Sequence, residues 1–217
     1  MVRNAQLPNR DRPAIPSGSV RFAGLACLIG GALWAVLVIA ELLDSTPSIV
    51  SDLLLPIPML LGMACGPLIL LICAARSVRM RLTGIIGASV SLLGIGCYLA
   101  AALSTYIVGQ EVEIFYPAGA LLLGVGMLTQ GIAAFVARWM PGWRRVTPLI
   151  VGLYYIAMIP FQIVFFIIPD GEPSSILLGI WSAAWVLFGY AVWSSASSFA
   201  AGGSGKGFED AAGPNFQ

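Results

Sequence analysis

Six apolar runs, each about long enough to cross a bilayer, constrain the fold of this 217-residue chain more than any other feature. A transmembrane helix needs about 20 apolar residues, and no charged residue or histidine lies at hydrocarbon depth in these runs. Because unpaired backbone groups are costly in lipid, the runs must be helical. The sequence therefore predicts an all-α polytopic membrane protein with six transmembrane helices arranged as three hairpins. The helices are expected at residues 22–40, 56–75, 82–104, 116–137, 147–168 and 174–195.

The composition supports a bilayer-embedded protein and narrows the possible chemistry. Hydrophobic residues make up 59% of the chain and charged residues 10%, against about 25% charged residues in soluble domains. There is no histidine, which removes the usual zinc and haem ligand and the usual general base. No carboxylate pair or nucleophile–base pair lies at membrane depth, so we expect neither enzymatic activity nor a cofactor or metal. The net charge of +1 gives no attraction to nucleic acid.

The charges are distributed so that they predict an orientation. All 11 basic residues fall on one side of the predicted membrane domain, and the opposite loops carry acidic residues only. Basic residues in short loops mark the cytoplasmic side. We therefore expect a plasma-membrane protein with both termini in the cytoplasm. The opposite loops contain Glu41, Asp44, Asp52, Glu111, Glu113, Asp170 and Glu172.

The two ends of the chain differ in composition from the part between them. Residues 1–20 are polar and contain three prolines, and residues 196–217 are rich in glycine and serine. Such segments cannot bury enough apolar surface to fold, so both are predicted to be disordered. The transmembrane domain is assigned to residues 21–195.

A repeated frame of glycine and arginine indicates three related hairpins. Gly62 precedes Arg76 by the same number of residues as Gly124 precedes Arg138. Three hairpins about an axis along the membrane normal would explain this frame. Alternatively, any six-pass protein places glycines and arginines at similar depths. The odd-numbered helices also open alike, with Arg21-x-x-Gly24, Arg81-x-x-Gly84 and Arg145-x-x-Pro148.

Some short motifs resemble those of a loose class of uncharacterised bacterial six-pass membrane proteins. These motifs are the Arg-x-x-Gly-Leu opening at Arg21, its echo at Arg81, the turn at 141–143 and the closing segment at 189–191. The resemblance covers most of residues 20–195. It implies the six-helix architecture and a bacterial inner membrane, and it implies no activity.

Two amides and a serine are the deep polar side chains, and they permit two interpretations. Gln130, Gln162 and Ser182 could pin helices together through interhelical hydrogen bonds. They could instead form a polar spot in a ligand cavity. Gln162 follows Pro160 closely, so we expect its amide to point into the bundle. Its expected partner is a backbone carbonyl freed by the proline, Ser182, or a ligand beside Trp185.

Helices 5 and 6 each carry a polar or aromatic stripe at helical spacing. If the two stripes face each other, they form a groove suited to an aromatic or apolar ligand. The same stripes are also compatible with simple core packing. The candidate groove residues are Gln130, Tyr154, Met158, Gln162, Phe165, Trp181, Ser182 and Trp185.

The sequence leaves two functions open. Small residues at Gly62-x-x-x-Gly66 and on helix 3 would allow close helix approach, which favours a non-enzymatic packing subunit, assembly factor or anchor. Its partners would be the lipid bilayer and another membrane protein or a second copy. The alternative is a transporter or binder of a small apolar or zwitterionic molecule in the helix 5–6 groove.

Overall fold

The computed structural model describes residues 15–43, 55–77, 80–107, 112, 114–168 and 174–201. The ordered elements of this part are helical, and no strand occurs in it. A 3₁₀ turn at Gly142–Val146 precedes α5, and a π-helical turn at Ile163–Ile167 extends it. The α-helices are α1 (Ser17–Leu42), α2 (Pro56–Arg76), α3 (Arg81–Ile107), α4 (Phe115–Ala137), α5 (Thr147–Gln162), α6 (Ser175–Ser194) and α7 (Ala196–Ala201).

Six of these helical segments are long and apolar enough to cross a membrane. The predicted all-α fold with six transmembrane helices in three hairpins is confirmed. Helix α1 begins at Ser17, inside the segment predicted to be a disordered lead-in, because Val20 packs into the core with no exposed surface. Helix α7 likewise occupies the start of the predicted tail. Residues 1–14 and 202–217 lie outside the described residues.

The helices form a closed ring in chain order. Each of α1 to α5 packs against the next, and α6 returns to pack extensively along α1. The α5–α6 contact is the sparsest in the ring. Helix α2 also touches α4 and α6, which brings its middle toward the centre of the bundle. The first and last membrane helices are therefore close neighbours.

Glycines allow the closest helix approaches in this ring. A methyl group at Gly62 of α2 would lie 2.6 Å from the carbonyl oxygen of Ala26 on α1. A methyl group at Gly87 of α3 would lie 2.6 Å from the backbone nitrogen of Gln130 on α4. Small residues permit such contacts between membrane helices because backbones can then meet directly. The glycine positions predicted to serve a partner are thus covered by helices of the same chain.

At the arginine-bearing end of the bundle, hydrogen bonds from a backbone amide and from an arginine side chain cap the C-termini of α4 and α6. Arg138 adopts the left-handed conformation (φ 53°), and the Trp139 amide donates to the Ala134 carbonyl oxygen. The Arg144 guanidinium donates to the carbonyl oxygen of Ser194 over 3.0 Å. These bonds satisfy helix-terminal carbonyls that have no intrahelical donor.

Candidate functional site

Aromatic rings from several helices meet in the centre of the bundle and form what we call the aromatic core. The ring centroid of Trp181 lies 4.7 Å from that of Trp34 on α1 and 4.5 Å from that of Tyr155 on α5. Trp185 continues the cluster at 5.7 Å from Trp181, and Phe188 lies 5.8 Å beyond Trp185. The three α6 rings have no exposed surface. They follow one face of α6 at spacings of four and three.

Two glycines make room for these rings. The Phe188 ring occupies the space beside Gly66 of α2, where a methyl group would lie 2.6 Å from a ring carbon. Gly31 of α1 lies against Trp185, with 3.0 Å between its missing methyl position and the Trp185 Cβ. The large and small residues of three helices therefore interlock, as close packing requires.

The hydroxyl groups of a half-buried and a buried tyrosine hydrogen-bond to each other at the edge of the aromatic core. The Tyr98 hydroxyl on α3 pairs with the Tyr155 hydroxyl on α5. The Tyr98 ring also contacts the rings of Trp34 and Tyr116 at centroid distances of 6.4 and 6.2 Å. The phenols thus provide partners for each other within the apolar interior.

Three polar atoms in and beside the core lack partners among the described residues. Gln130 donates from Nε2 to the carbonyl oxygen of Pro67 over 3.1 Å, but its Oε1 has no donor. The indole nitrogens of Trp181 and Trp185 have no acceptor. All three side chains are at most 1% exposed. Burial of an unpaired polar atom in an apolar interior costs free energy. A bound molecule could lower this cost by donating a hydrogen bond to Gln130 and accepting one from each indole.

Gln162 is buried, as predicted, with 4% of its surface exposed. Its Oε1 accepts from the Ser174 amide over 2.6 Å, and its Nε2 donates to the Ser174 carbonyl oxygen over 3.4 Å. Its protein partner is neither a carbonyl freed by Pro160 nor Ser182, the two protein partners that were predicted. It is Ser174, which directly precedes α6 and offers a backbone amide that the glutamine side chain can reach. Gln162 therefore joins the end of α5 to the start of α6.

The remaining predicted groove residues are distributed over several surroundings. The Tyr154 hydroxyl donates to the Leu177 carbonyl oxygen over 3.0 Å, and Ser182 donates to its own helix at Gly179. Met158 is buried, whereas Phe165 is 58% exposed. The structure brings Trp181 and Trp185 together in the aromatic core and leaves Phe165 outside it. A ligand groove between α5 and α6 stays a prediction.

The chain matches no family model, no curated protein and no solved structure. No group of three or more histidine, cysteine, aspartate or glutamate side chains that could hold a metal ion occurs among the described residues.

A cleft between α1 and α2 is a feature that the sequence reasoning missed. It has a volume of about 260 Å³, and all the side chains that line it are apolar. Its five α1 residues recur at helical spacing on one face, a signal that would have been visible in the sequence. The α2 wall adds a proline and a glycine. Its lining includes Phe22, Leu25, Ala26, Ile29, Pro58 and Gly62.

Proposed function

We propose that the protein is a non-enzymatic subunit or anchor of a membrane assembly and that it binds a partner helix through the last turns of α5. The observation that carries this proposal is the exposure of residues 161–168, which we call the α5 extension. Phe165 is 58% exposed, Val164 55% and Phe161 47%, and Ile168 reaches 72%. Gln162 is the one fully buried side chain of the segment.

The exposure of the α5 extension covers most of its circumference. A helix that is packed in a bundle exposes one face to lipid, and its other faces contact neighbouring helices. Consecutive residues from Ile163 to Phe165 are all exposed, although they project about 100° apart around a helix. Within the described part of the chain, this segment has no helix beside it on most sides. It therefore has room for a partner helix.

The α5 extension is also held in a defined shape. Pro160 has no amide hydrogen, so it cannot bond to the carbonyl of Ile156, and the following turn is π-helical. Such π-helical turns occur frequently at functional sites. The two hydrogen bonds between Gln162 and Ser174 fix the extension relative to α6. A preorganised surface loses less entropy on binding, which favours association.

Photocrosslinking in native membranes tests the proposal. A benzophenone amino acid at Phe165 should give one discrete crosslinked protein band, because a partner helix would occupy a fixed position there. The matched control is the same probe at Leu93, which is 60% exposed on α3. The paired change Phe161→Ala and Phe165→Ala should abolish co-purification of the crosslinked protein. Equal crosslinking patterns at Phe165 and Leu93 would contradict the proposal.

We further propose that the protein lies in the plasma membrane with both termini in the cytoplasm. The described arginines support this, because they all lie at one end of the helices, where short-loop basic residues mark the cytoplasmic side. In a cysteine-free background, Ser77→Cys should react with an impermeant maleimide only from the cytoplasm. Ile114→Cys, at the opposite end, should react only from outside. Labelling of Ser77→Cys from outside would reverse the orientation.

A second candidate function is binding of a small apolar or zwitterionic molecule at the aromatic core. The unpaired atoms of Gln130, Trp181 and Trp185 favour it, because a ligand with carbonyl oxygens could accept from the indoles. A water-soluble quinone should then raise the unfolding temperature. Trp185→Phe keeps an aromatic ring at this position but removes the indole N–H, so it should abolish this rise in the unfolding temperature. An equal rise in the wild type and in Trp185→Phe would exclude the indole as a ligand contact.

A further inference from the structure

We propose that the α1–α2 cleft binds one acyl chain of an anionic phospholipid and that Arg21 binds the phosphate of the same lipid. The cleft is formed by α1 and α2 and shares no residue with the α5 extension. It does not depend on the function proposed above. Its evidence is the shape, the lining and the flanking charge of the cleft.

The cleft exists because α1 and α2 meet at a glycine contact. Gly30 and Gly62 bring the two backbones together, with a methyl position at Gly30 only 2.6 Å from the Met59 carbonyl oxygen. Beside this contact, Gly62 lines a hollow together with Ala26 and Pro58. The close glycine contact and the hollow therefore lie side by side between α1 and α2.

The dimensions and lining of the cleft suit a lipid chain. Its α1 wall extends from Phe22 to Leu33, which at about 1.5 Å per residue is roughly 16 Å. This length is close to the hydrocarbon depth of one leaflet, half of about 30 Å. Leu25 and Ile29 line the cleft and are about half exposed, so the cleft opens toward the membrane. An acyl chain can enter sideways and remain in contact with protein on two sides.

A basic side chain lies at the end of the cleft where a headgroup would be. Arg21 is exposed and stands one helical turn before Leu25, on the same face of α1. In the described residues, no side chain accepts a hydrogen bond from Arg21. A guanidinium binds phosphate oxygens in a bidentate manner, and its charge favours a lipid with net negative charge. An apolar cleft below a free guanidinium matches the two parts of an anionic phospholipid.

Native mass spectrometry of the full-length protein tests the charge requirement. Protein from nanodiscs containing equal amounts of phosphatidylglycerol and phosphatidylcholine should retain one phosphatidylglycerol after transfer to detergent. Arg21→Gln should lower this retention about fivefold, the effect expected for one arginine near an anionic headgroup. Arg81→Gln is the matched control, because Arg81 is also exposed and opens α3 at the same end. Equal retention in the two variants would overturn the role of Arg21.

A second pair of variants tests the cleft itself. Ala26→Leu fills the cleft and should reduce retention of phosphatidylglycerol to the level of phosphatidylcholine. Ala157→Leu adds the same bulk at an exposed position on α5 and should leave retention unchanged. Undiminished retention in a folded Ala26→Leu protein would show that the chain does not bind in the cleft. Should Ala26→Leu fail to fold, the exposed Arg21→Gln variant still decides the proposal.

Discussion

Gly62 and Gly96 are both helical glycines, but their surroundings differ. A methyl group at Gly62 would lie 2.6 Å from the Ala26 carbonyl oxygen, whereas nothing lies within 4 Å of the same position at Gly96. Gly62→Ala should therefore lower the free energy of unfolding by about 1–3 kcal/mol, because α1 and α2 must move apart. Gly96→Ala should be neutral or stabilise by up to about 1 kcal/mol through helix propensity. Unfolding by sodium dodecyl sulfate in mixed micelles measures both.

The two buried glutamines should respond differently to the same substitution. Gln162→Leu breaks two bonds and leaves the Ser174 amide without its acceptor, so it should destabilise the fold by about 1–3 kcal/mol. Gln130→Leu breaks one bond to Pro67 but also removes an unpaired buried oxygen. Its cost should therefore be smaller. Thermal unfolding in detergent would contradict this account if Gln130→Leu were the more harmful change.

At the residue scale, the sequence predicted the faces of side chains better than their partners. The position of Gln162 at lipid depth was enough to predict its burial, because an amide facing acyl chains is costly. Its partner could not be predicted, because Ser174 belongs to another helix and the relative height of two helices is not encoded in their periodicity. For the same reason, the contacts of Trp181 with Trp34 and Tyr155 could not be predicted.

Among the helical elements, α6 depends on a neighbouring turn for the end of its backbone. Arg144 donates to the carbonyl oxygen of Ser194, the last residue of α6. A cation at a helix C-terminus is favourable because of both the hydrogen bond and the helix dipole. Arg144→Gln should lower the free energy of unfolding by about 1 kcal/mol. Arg81→Gln, an exposed arginine at the same end, is the control and should have little effect in the same unfolding assay.

In each odd-numbered helix, the residue three positions after the opening arginine contacts the preceding helix of the ring. Gly24 of α1 contacts α6, and Gly84 of α3 contacts Ala74 on α2. In α5 the corresponding Pro148 lies against Gly131 of α4. Each opening therefore contacts the preceding helix of the ring, and the methyl position of Gly84 is equally close, at 2.6 Å, to the ring of Trp139 after α4.

The repeated glycines of the even-numbered helices α2 and α4 contact different neighbours in the ring. Gly62 faces α1, the preceding helix, whereas Gly124 faces Tyr155 on α5, the following helix. Equivalent spacing in the sequence therefore does not give equivalent contacts, because glycine fits any close neighbour. Superposition of the three hairpins stays a prediction.

Helix lengths were predictable, and local irregularities within them were not. Hydropathy fixes the length of an apolar run because the bilayer thickness fixes it. Pro160 indicated a distortion of helix 5, but the distortion takes the form of a π-helical turn at Ile163–Ile167. The turn follows Gln162, whose hydrogen bonds to Ser174 are tertiary contacts that helical periodicity does not specify.

For the molecule as a whole, closure of the ring between α1 and α6 is directly testable. Val38 and Gly179 face each other, with 3.3 Å between a Val38 methyl carbon and the Cβ position of Gly179. In a cysteine-free background, Val38→Cys with Gly179→Cys should form a disulfide on mild oxidation, because their side chains can reach each other. Val38→Cys with Leu93→Cys, on α3, should not. A disulfide in the second pair alone would contradict the ring order.

The predicted three-hairpin architecture did not determine this closure. Short loops make consecutive helices neighbours, which accounts for the contacts along the chain. Nothing in the loops indicates that the last membrane helix returns to the first. The signal that contributes to closure is the set of glycines at Gly24, Gly31 and Gly189, and each of these could equally have served another neighbour.

The contact between α1 and α6 also imposes an order on biosynthesis. Helix α1 leaves the ribosome before α2 to α6, but α6, which covers Gly24 and Gly31, is made after the other five membrane helices. Until then, this glycine face must remain in contact with lipid or with an insertion factor. A nascent chain that stops before α6 would carry an open, glycine-lined edge, which quality-control proteases could use to distinguish an unfinished chain from a complete one.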